Sequence, residues 1–495
     1  MKNILAKLFV FEGYAYLYIL TMILCIIGMV NGYFLGTIAG TEQPVASYFK
    51  MGEIGSNYME TIHSLVVAAP ILGCCLGAYF STYIRRWLGG KKYALILTAV
   101  LFIISAIGSY HPEILLGKIH RLSPEESGWG VFISLMFFRI IGGIATGISS
   151  VLGPMYMTEL VPAEKRGKLV TAFYLFNTLG LMFAFLVNSL LYRYHSIIYQ
   201  LQDFTTLYDT GWRHMFVAIA FPAILMLAVV FVLPHSPREL ILDGKIKEAK
   251  NTFLLLYGYE RSQKIMGELQ QSFNVKRVNL FSYGRRVVLL CVGMAFCQQF
   301  IGYNVIICFL PRLMSDLTIC ETATAVQLSV ILILMATLSM IVTFIFIDKL
   351  GRKPLMVSGT ILILISLILI FVFITIDGIN PKLCYIPMVL YFIGYPISGG
   401  STCMVYIYEV LPNEIRRQGS SYVQTLSWIF NLVMILFVPH LYANHGWIIY
   451  TILILTTITA IAMVIILLPE TKGMTLEQIG KYWSIRENKK ATVGH

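Results

Sequence analysis

Twelve runs of roughly twenty predominantly apolar residues leave this chain few folds to choose from. A helix that crosses a hydrocarbon layer ~30 Å thick needs about 17 to 25 such residues. Runs of that kind fall at 15–41, 63–84, 93–110, 130–157, 169–192, 213–233, 287–313, 325–347, 354–376, 383–408, 419–441 and 446–468. Inside lipid every backbone N–H and C=O must be bonded internally, which restricts the choice to helices or closed barrels. Barrel strands are about half this long, so the sequence predicts an all-α membrane protein of twelve transmembrane helices. A hydrophobic content of 57% agrees, since soluble domains hold roughly 45–50%.

The formal net charge of +12 invites a nucleic-acid reading, but its placement points elsewhere. Lys and Arg crowd the loops of one face, as in Arg85-Arg86-Trp87-Leu88-Gly89-Gly90-Lys91-Lys92 after span 2 and throughout 234–286. The other face holds Lys50, Lys118, Arg121, Arg193, Arg312 and Lys382, while Arg139 and Arg213 fall in or at the ends of spans. Such asymmetry marks the cytoplasmic side. Both termini are therefore expected in the cytoplasm and the chain in the plasma (inner) membrane, with the lipid bilayer as partner, no nucleic acid, and a monomer sufficient for function. The opening MKNILAKLF lacks a cleavage pattern, so the first span is expected to remain as an anchor. Most of the nine cysteines lie within spans as small core residues; Cys320 and Cys384 are expected on the outer side, the one pair placed where a disulfide is open to them. No Walker loop, metal cluster or nucleophile constellation occurs, so no enzyme, cofactor or metal is implied.

Polar residues inside the spans are the informative exceptions. Gln298-Gln299-Phe300-Ile301-Gly302-Tyr303-Asn304 places three amides in an otherwise apolar run. An amide without a partner in hydrocarbon costs on the order of 4 to 8 kcal/mol. Gly302 and Pro311 predict that this helix is broken. The amides then either join two helices or form the wall of a water-filled cavity. Arg139, about nine residues into span 4, costs ~2.5 to 3.5 kcal/mol at mid-helix and is expected to face a polar interior or to snorkel outward. Span 1 carries four glycines between Gly28 and Gly40, which allow close approach of a neighbour.

An internal repeat organises the chain. Glu159-x6-Arg166 closes span 4 through Pro162, and Glu409-x6-Arg416 closes span 10 through Pro412. Pro234-His235-Ser236-Pro237-Arg238 follows span 6 as Pro469-Glu470-Thr471-Lys472-Gly473 follows span 12. This is the parallel-repeat plan of transporters, two six-helix bundles holding substrate between them near midplane. The expected divisions are 1–233 for the N-terminal bundle, 234–286 for a helical cytoplasmic linker, 287–470 for the C-terminal bundle and 471–495 for a cytoplasmic tail.

With Asp348-Lys349-Leu350-Gly351-Arg352-Lys353, the runs RIIGG (139–143), PMY (154–156), RGKLV (166–170), QQF-x-G-x-NV (298–305), DK-x-GRKPL (348–355) and PETKG-x-TLE (469–477) resemble the signature set of the sugar porter family of the major facilitator superfamily. The resemblance spans about Gly28 to Glu477 and is fullest with the family's bacterial proton symporters. It implies transport of a sugar by alternating access. It also implies a cytoplasmic gate of Glu159 and Arg166 in the N-half and Asp348, Arg352, Glu409 and Arg416 in the C-half, in which carboxylate and guanidinium pair bidentately. The N-half basic turn lacks the family's acidic or amide residue. The resemblance further implies substrate binding by Gln298, Gln299, Asn304 and Trp428, since amides answer hydroxyls as donor and acceptor alike. Other binding positions differ from the family's: Tyr174 and Ser427 replace glutamines, Ala336 an asparagine, Met404 a tryptophan, and Gly400-Ser401 a Gly-Pro. Tyr174, Met404 and Ser427 remain expected site residues.

Coupling positions differ too. The family's symporters carry an Asp after the Gly-Tyr of span 1 and a Glu in span 6, where this chain has Phe34 and Ile219. A proton symporter needs a carboxylate that titrates between states, so the expectation is facilitative uniport of a sugar or polyol. In a first alternative Arg139, as a charge in the cavity, recruits a sugar acid or other organic anion. In a second a different group, such as a histidine, couples to protons, although His214 and His445 sit at span ends. A non-transporting nutrient sensor is a third, disfavoured by the short stretch after Gly473.

Overall fold

The computed structural model describes residues 14–49, 56–118, 128–161, 166–201, 211–242, 244–257, 262–263, 285–319, 322–376, 380–411, 415–472 and 478. The twelve spans are Tyr16–Gly36, Ser64–Trp87, Lys91–Tyr110, Trp129–Leu160, Gly167–Tyr194, Trp212–Val230, Val287–Cys308, Thr324–Leu350, Arg352–Thr375, Pro381–Val410, Gln418–Tyr442 and Trp447–Leu467. Large apolar side chains such as Phe221 and Ile466 point outward, as a hydrocarbon solvent requires. Two elements depart from the sequence boundaries. Span 6 is two helices, Trp212–Val217 and Ala220–Val230. Spans 11 and 12 lie in one recorded helix, Arg416–Leu467, with Pro439 inside it. Of the expected linker, Pro237–Leu242 and Ile246–Tyr257 are helical; most of 258–284, and the tail from 473 except residue 478, fall outside the described residues. Cys384 is a free, buried thiol, and its conceivable partner Cys320 lies outside the described residues.

Packing follows the repeat. Span 2 lies along span 4, span 1 along span 5 and span 3 along span 6, while spans 7, 9 and 10 pack into the C-half with the long helix of spans 11 and 12. The halves meet along two seams, span 2 against span 11 and span 5 against span 8. Adding six to each N-half span number, and subtracting it from each C-half one, exchanges these seams, as a twofold relation of two six-helix bundles demands. The glycines let backbones touch. A Cβ on Gly32 would stand 1.7 Å from the Asn177 carbonyl oxygen, and one on Gly143 only 2.0 Å from that of Pro70. These are the small-residue contacts that hold helices together where lipid offers no hydrophobic drive.

At the end opposite the basic loops, one buried ion pair ties three segments. Glu113, in the short helix Pro112–Leu116, receives Nη2–H of Arg213 at 2.6 Å and Nη1–H at 3.1 Å. Arg213 also donates to the Tyr110 carbonyl and to Tyr48 Oη, and His111 Nδ1 lies 2.8 Å from Glu113. Burial pushes the Glu113 carboxyl up, but bonds from Arg213, a backbone N–H and His111, with the charge of Arg213, outweigh it and hold the group below its usual value. Its contribution is therefore complete above the unfolded carboxylate pKa of ~4.3 and is lost as pH falls through the depressed folded value. Glu113→Gln is expected to destabilise the protein at pH 7 by about 3–5 kcal/mol, the cost of stranding one member of a buried pair. Thermal unfolding in detergent checks this: the gap between parent and variant narrows as pH is taken below that range.

Candidate functional site

Span 7 breaks where its sequence predicts. Its helix Arg285–Phe300 stops, Gly302 takes a φ of +93°, and Tyr303–Cys308 resumes. Only glycine adopts that angle cheaply. Span 10 is interrupted opposite it, by a π-turn at Pro396–Gly400. Paired breaks near the middle of two spans free backbone groups to face a cavity.

Gln299 is the hub. Its Nε2–H donates to Ser427 Oγ at 2.8 Å, and its Oε1 accepts from Asn304 Nδ2 and Asn431 Nδ2, both at 2.9 Å. Gln298 Nε2 donates to the Gly399 carbonyl, within the π-turn, at 2.6 Å. Two buried acceptors, Gln298 Oε1 and Asn431 Oδ1, have no partner among the described residues. A buried carbonyl oxygen left unbonded costs about 1–3 kcal/mol, which a donor such as a hydroxyl can offset.

These amides line a cavity of about 150 Å³ between the halves. Gln298, Gln299, Asn304, Gln424, Trp428 and Asn431 form its C-half wall, and Asn31, Thr146, Ser150, Tyr174, Asn177 and Thr178 much of its N-half wall. Tyr303 and Tyr395, also on the wall, stack with ring centroids 3.7 Å apart. No Asp, Glu, Lys, Arg or His stands among the described lining residues.

Of the expected binding residues, Gln298, Gln299, Asn304, Trp428, Tyr174 and Met404 are on this wall. Ser427 stands behind it, bonded to Gln299. Arg139 corrects an expectation, because it is not a charge on the cavity wall. It is 2% exposed, with its guanidinium 4.5 Å from the Phe34 ring centre and 4.4 Å from that of Phe216, and it reaches Thr37 Oγ1 at 3.4 Å. No carboxylate pairs with it among the described residues, and two aromatic faces hold its charge instead. Gln424, Asn431 and Asn177 are wall residues that the sequence reading missed. Their signal was present, since 424, 428 and 431 share one helical stripe, as do 174, 177 and 178.

At the basic-loop end the expected gate groups form two clusters. Arg352 Nε and Nη2 donate to Glu409 at 3.0 and 2.8 Å, Arg352 Nη1 lies 3.2 Å from Asp348, and Thr471 donates to Glu409. Glu470 accepts the backbone N–H groups of Arg352 and Lys353, a cap that also suits the positive end of the span 9 helix. In the N-half, Lys91 pairs with Glu159 and Glu239, and Arg85 with Glu239. Lys91, Glu239 and Glu470 were not foreseen, although Gly90-Lys91 repeats Gly351-Arg352. Asp348 accepts the Lys168 N–H at 3.0 Å, capping span 5 from the other half. Its counterpart in the N-half turn is Trp87, which is exposed. The side chains of Arg166 and Arg416 fall outside the described residues.

Comparison with known proteins matches residues 20–483 to the family model described as sugar (and other) transporter. The chain is 28% identical to the D-xylose-proton symporter of Escherichia coli (strain K12) over 486 residues, covering 95% of this chain and 96% of that one. It is likewise 28% identical to the arabinose-proton symporter of the same strain over 471 residues, covering 91% and 90%. A solved structure of a major facilitator superfamily proton:xylose symporter bound to 6-bromo-6-deoxy-D-glucose superimposes with a TM-score of 0.83 at 27% identity, over 95% of this chain and 99% of that one.

Proposed function

The chain belongs to the sugar (and other) transporter family, and from that premise we propose that it carries a neutral sugar or polyol down its gradient by alternating access, with no proton coupled. One observation carries this reading: the described wall of the central cavity is built of amides, hydroxyls and aromatic rings and holds no acid or base. Amides both donate to and accept from hydroxyls, so a polyhydroxylated neutral solute matches them. The named relatives are proton symporters, yet a symporter needs a carboxylate that gains and loses its proton between states. Here Phe34 packs its ring on Arg139 and Ile219 is a buried aliphatic. Gln298, Gln299, Asn304, Trp428, Tyr174 and Met404 are proposed as substrate contacts, with Ser427 positioning Gln299. Arg139 is proposed as a fixed structural cation, which removes the motive for a sugar-acid substrate.

The bundles are proposed as 1–233 and 287–470, joined by 234–286 and followed by the tail 471–495. The basic loops and both termini face the cytoplasm across the plasma (inner) membrane. The clusters of Arg352 with Glu409 and Lys91 with Glu159, together with Asp348 on span 5, form the gate that parts when the cavity opens to that side.

Purified protein in liposomes, offered a panel of labelled sugars, polyols and sugar acids, tests the substrate class. Downhill uptake of at least one neutral member is expected, with the acids excluded. Uptake of a sugar acid that Arg139→Met abolishes, with neutral sugars ignored, would overturn the proposal.

A further inference from the structure

Ser150 of span 4 is joined to the opposite half by two bonds. Its carbonyl accepts the Tyr408 O–H at 2.9 Å, and its Oγ accepts the Trp428 Nε1–H at 3.3 Å. The first bond has a local cause. Pro154 lies four residues on within the same helix, and a proline has no N–H to close on the carbonyl of residue i−4. The Ser150 carbonyl is therefore released from the helix ladder, and Tyr408, 2% exposed, fills the socket from span 10. The second bond involves a wall residue: Ser150 and Trp428 both line the central cavity. An indole has one N–H and no acceptor, so Trp428 can serve Ser150 or a ligand, but not both at full strength. Nearer the basic-loop end the same closure continues, with Ser421 Oγ donating to the Ala78 carbonyl at 2.7 Å and lying 3.3 Å from Ser81 Oγ.

We propose that Ser150 is the keeper of a latch beneath the cavity, held shut by Tyr408 and Trp428, and that a bound sugar loosens it by taking the Trp428 N–H. The second clause rests on the sugar-carrier reading; the first does not. The 3.3 Å bond is long for N–H···O, as suits a donor that is to be exchanged. Occupancy at the wall thus acts on the contact that parts when the basic-loop end opens. Ser150, Tyr408 and Trp428 are positioning residues for that step.

Distances between spin labels at Arg86→Cys and Gln418→Cys test this, both positions being exposed at the basic-loop end while the described native cysteines are buried. Without sugar, Tyr408→Phe and Ser150→Ala are each expected to raise the ratio of long to short distances about fivefold, the effect of ~1 kcal/mol for one net hydrogen bond. Trp428→Phe combined with Ser150→Ala is expected to equal either change alone, because both remove the same bond. Adding a sugar active in the uptake panel is expected to lengthen the parent's distances and to change those of Ser150→Ala less. Sugar-free distributions in Ser150→Ala and a correctly folded Tyr408→Phe that match the parent would overturn the latch. Simple addition in the double variant would remove the role of the indole. If no panel member binds, the carrier reading fails, and the sugar-free comparison still decides the latch. Should Tyr408→Phe not fold, as judged by gel filtration, Ser150→Ala and the double variant carry the test.

Discussion

Gln299→Ala is expected to weaken sugar binding about a hundredfold, about 2.8 kcal/mol at ~1.4 kcal/mol per tenfold. The size follows from the position of Gln299 at the centre of the polar wall. Its amide bonds Ser427, Asn304 and Asn431 at once, so truncation removes one direct contact and frees two further amides to turn from their present orientation. Each polar group left without a partner costs about 1–3 kcal/mol, and sites built to bond hydroxyls lose more from a misplaced partner than apolar pockets lose from a missing methylene. The KM for uptake checks this, alongside thermal unfolding to show that the variant is folded. Unchanged KM values for every transported solute would place the site elsewhere.

Arg352→Ala is expected to have the larger effect on the protein itself. Arg352 and Glu409 are 3% and 4% exposed, and the guanidinium meets the carboxylate with two parallel bonds. Removing the cation strands a buried carboxylate, at about 3–5 kcal/mol. Arg352→Lys is expected to recover only part of this, since an ammonium cannot reproduce the planar fork. The double change Arg352→Met with Glu409→Leu is expected to regain most of the stability, because replacing both members of a buried pair by apolar groups is often neutral. It is not expected to regain transport, since the cluster that holds Asp348 against span 5 is gone. Melting temperatures and uptake rates across the three variants separate the pair's part in folding from the part in gating proposed for it. Equal melting of Arg352→Ala and parent would contradict the account.

What the sequence made legible was what depends on hydropathy, on local breaks and on the repeat. The spans, the interruption at Gly302 and the exposure of Gln298 to a cavity follow from the cost of unsatisfied polar groups in lipid. The rotation of each helix was not legible, because a span that is apolar all round carries no moment to orient it. Arg139 shows the consequence. Its depth in span 4 was readable, but the neighbours that receive it, Phe34 and Phe216, come from two other spans. Glu113 with Arg213, and Lys91 with Glu239, were missed for a related reason, as the partners stand 100 and 148 positions apart and no local pattern announces them. Asn31 and Asn177 are a milder case. Both sit beside glycines that let spans 1 and 5 touch, and the sequence signalled close packing there more loudly than a wall.

Whether the neutral sugar proposed as substrate crosses without a proton is decided most directly by one measurement. Protein in liposomes is given equal concentrations of a transported sugar on both sides, and an inward proton gradient is imposed. With Phe34 and Ile219 at the coupling positions and no acid or base on the described cavity wall, the internal concentration is expected to stay level with the external one. Uphill accumulation that follows the gradient and collapses with a protonophore would contradict the account.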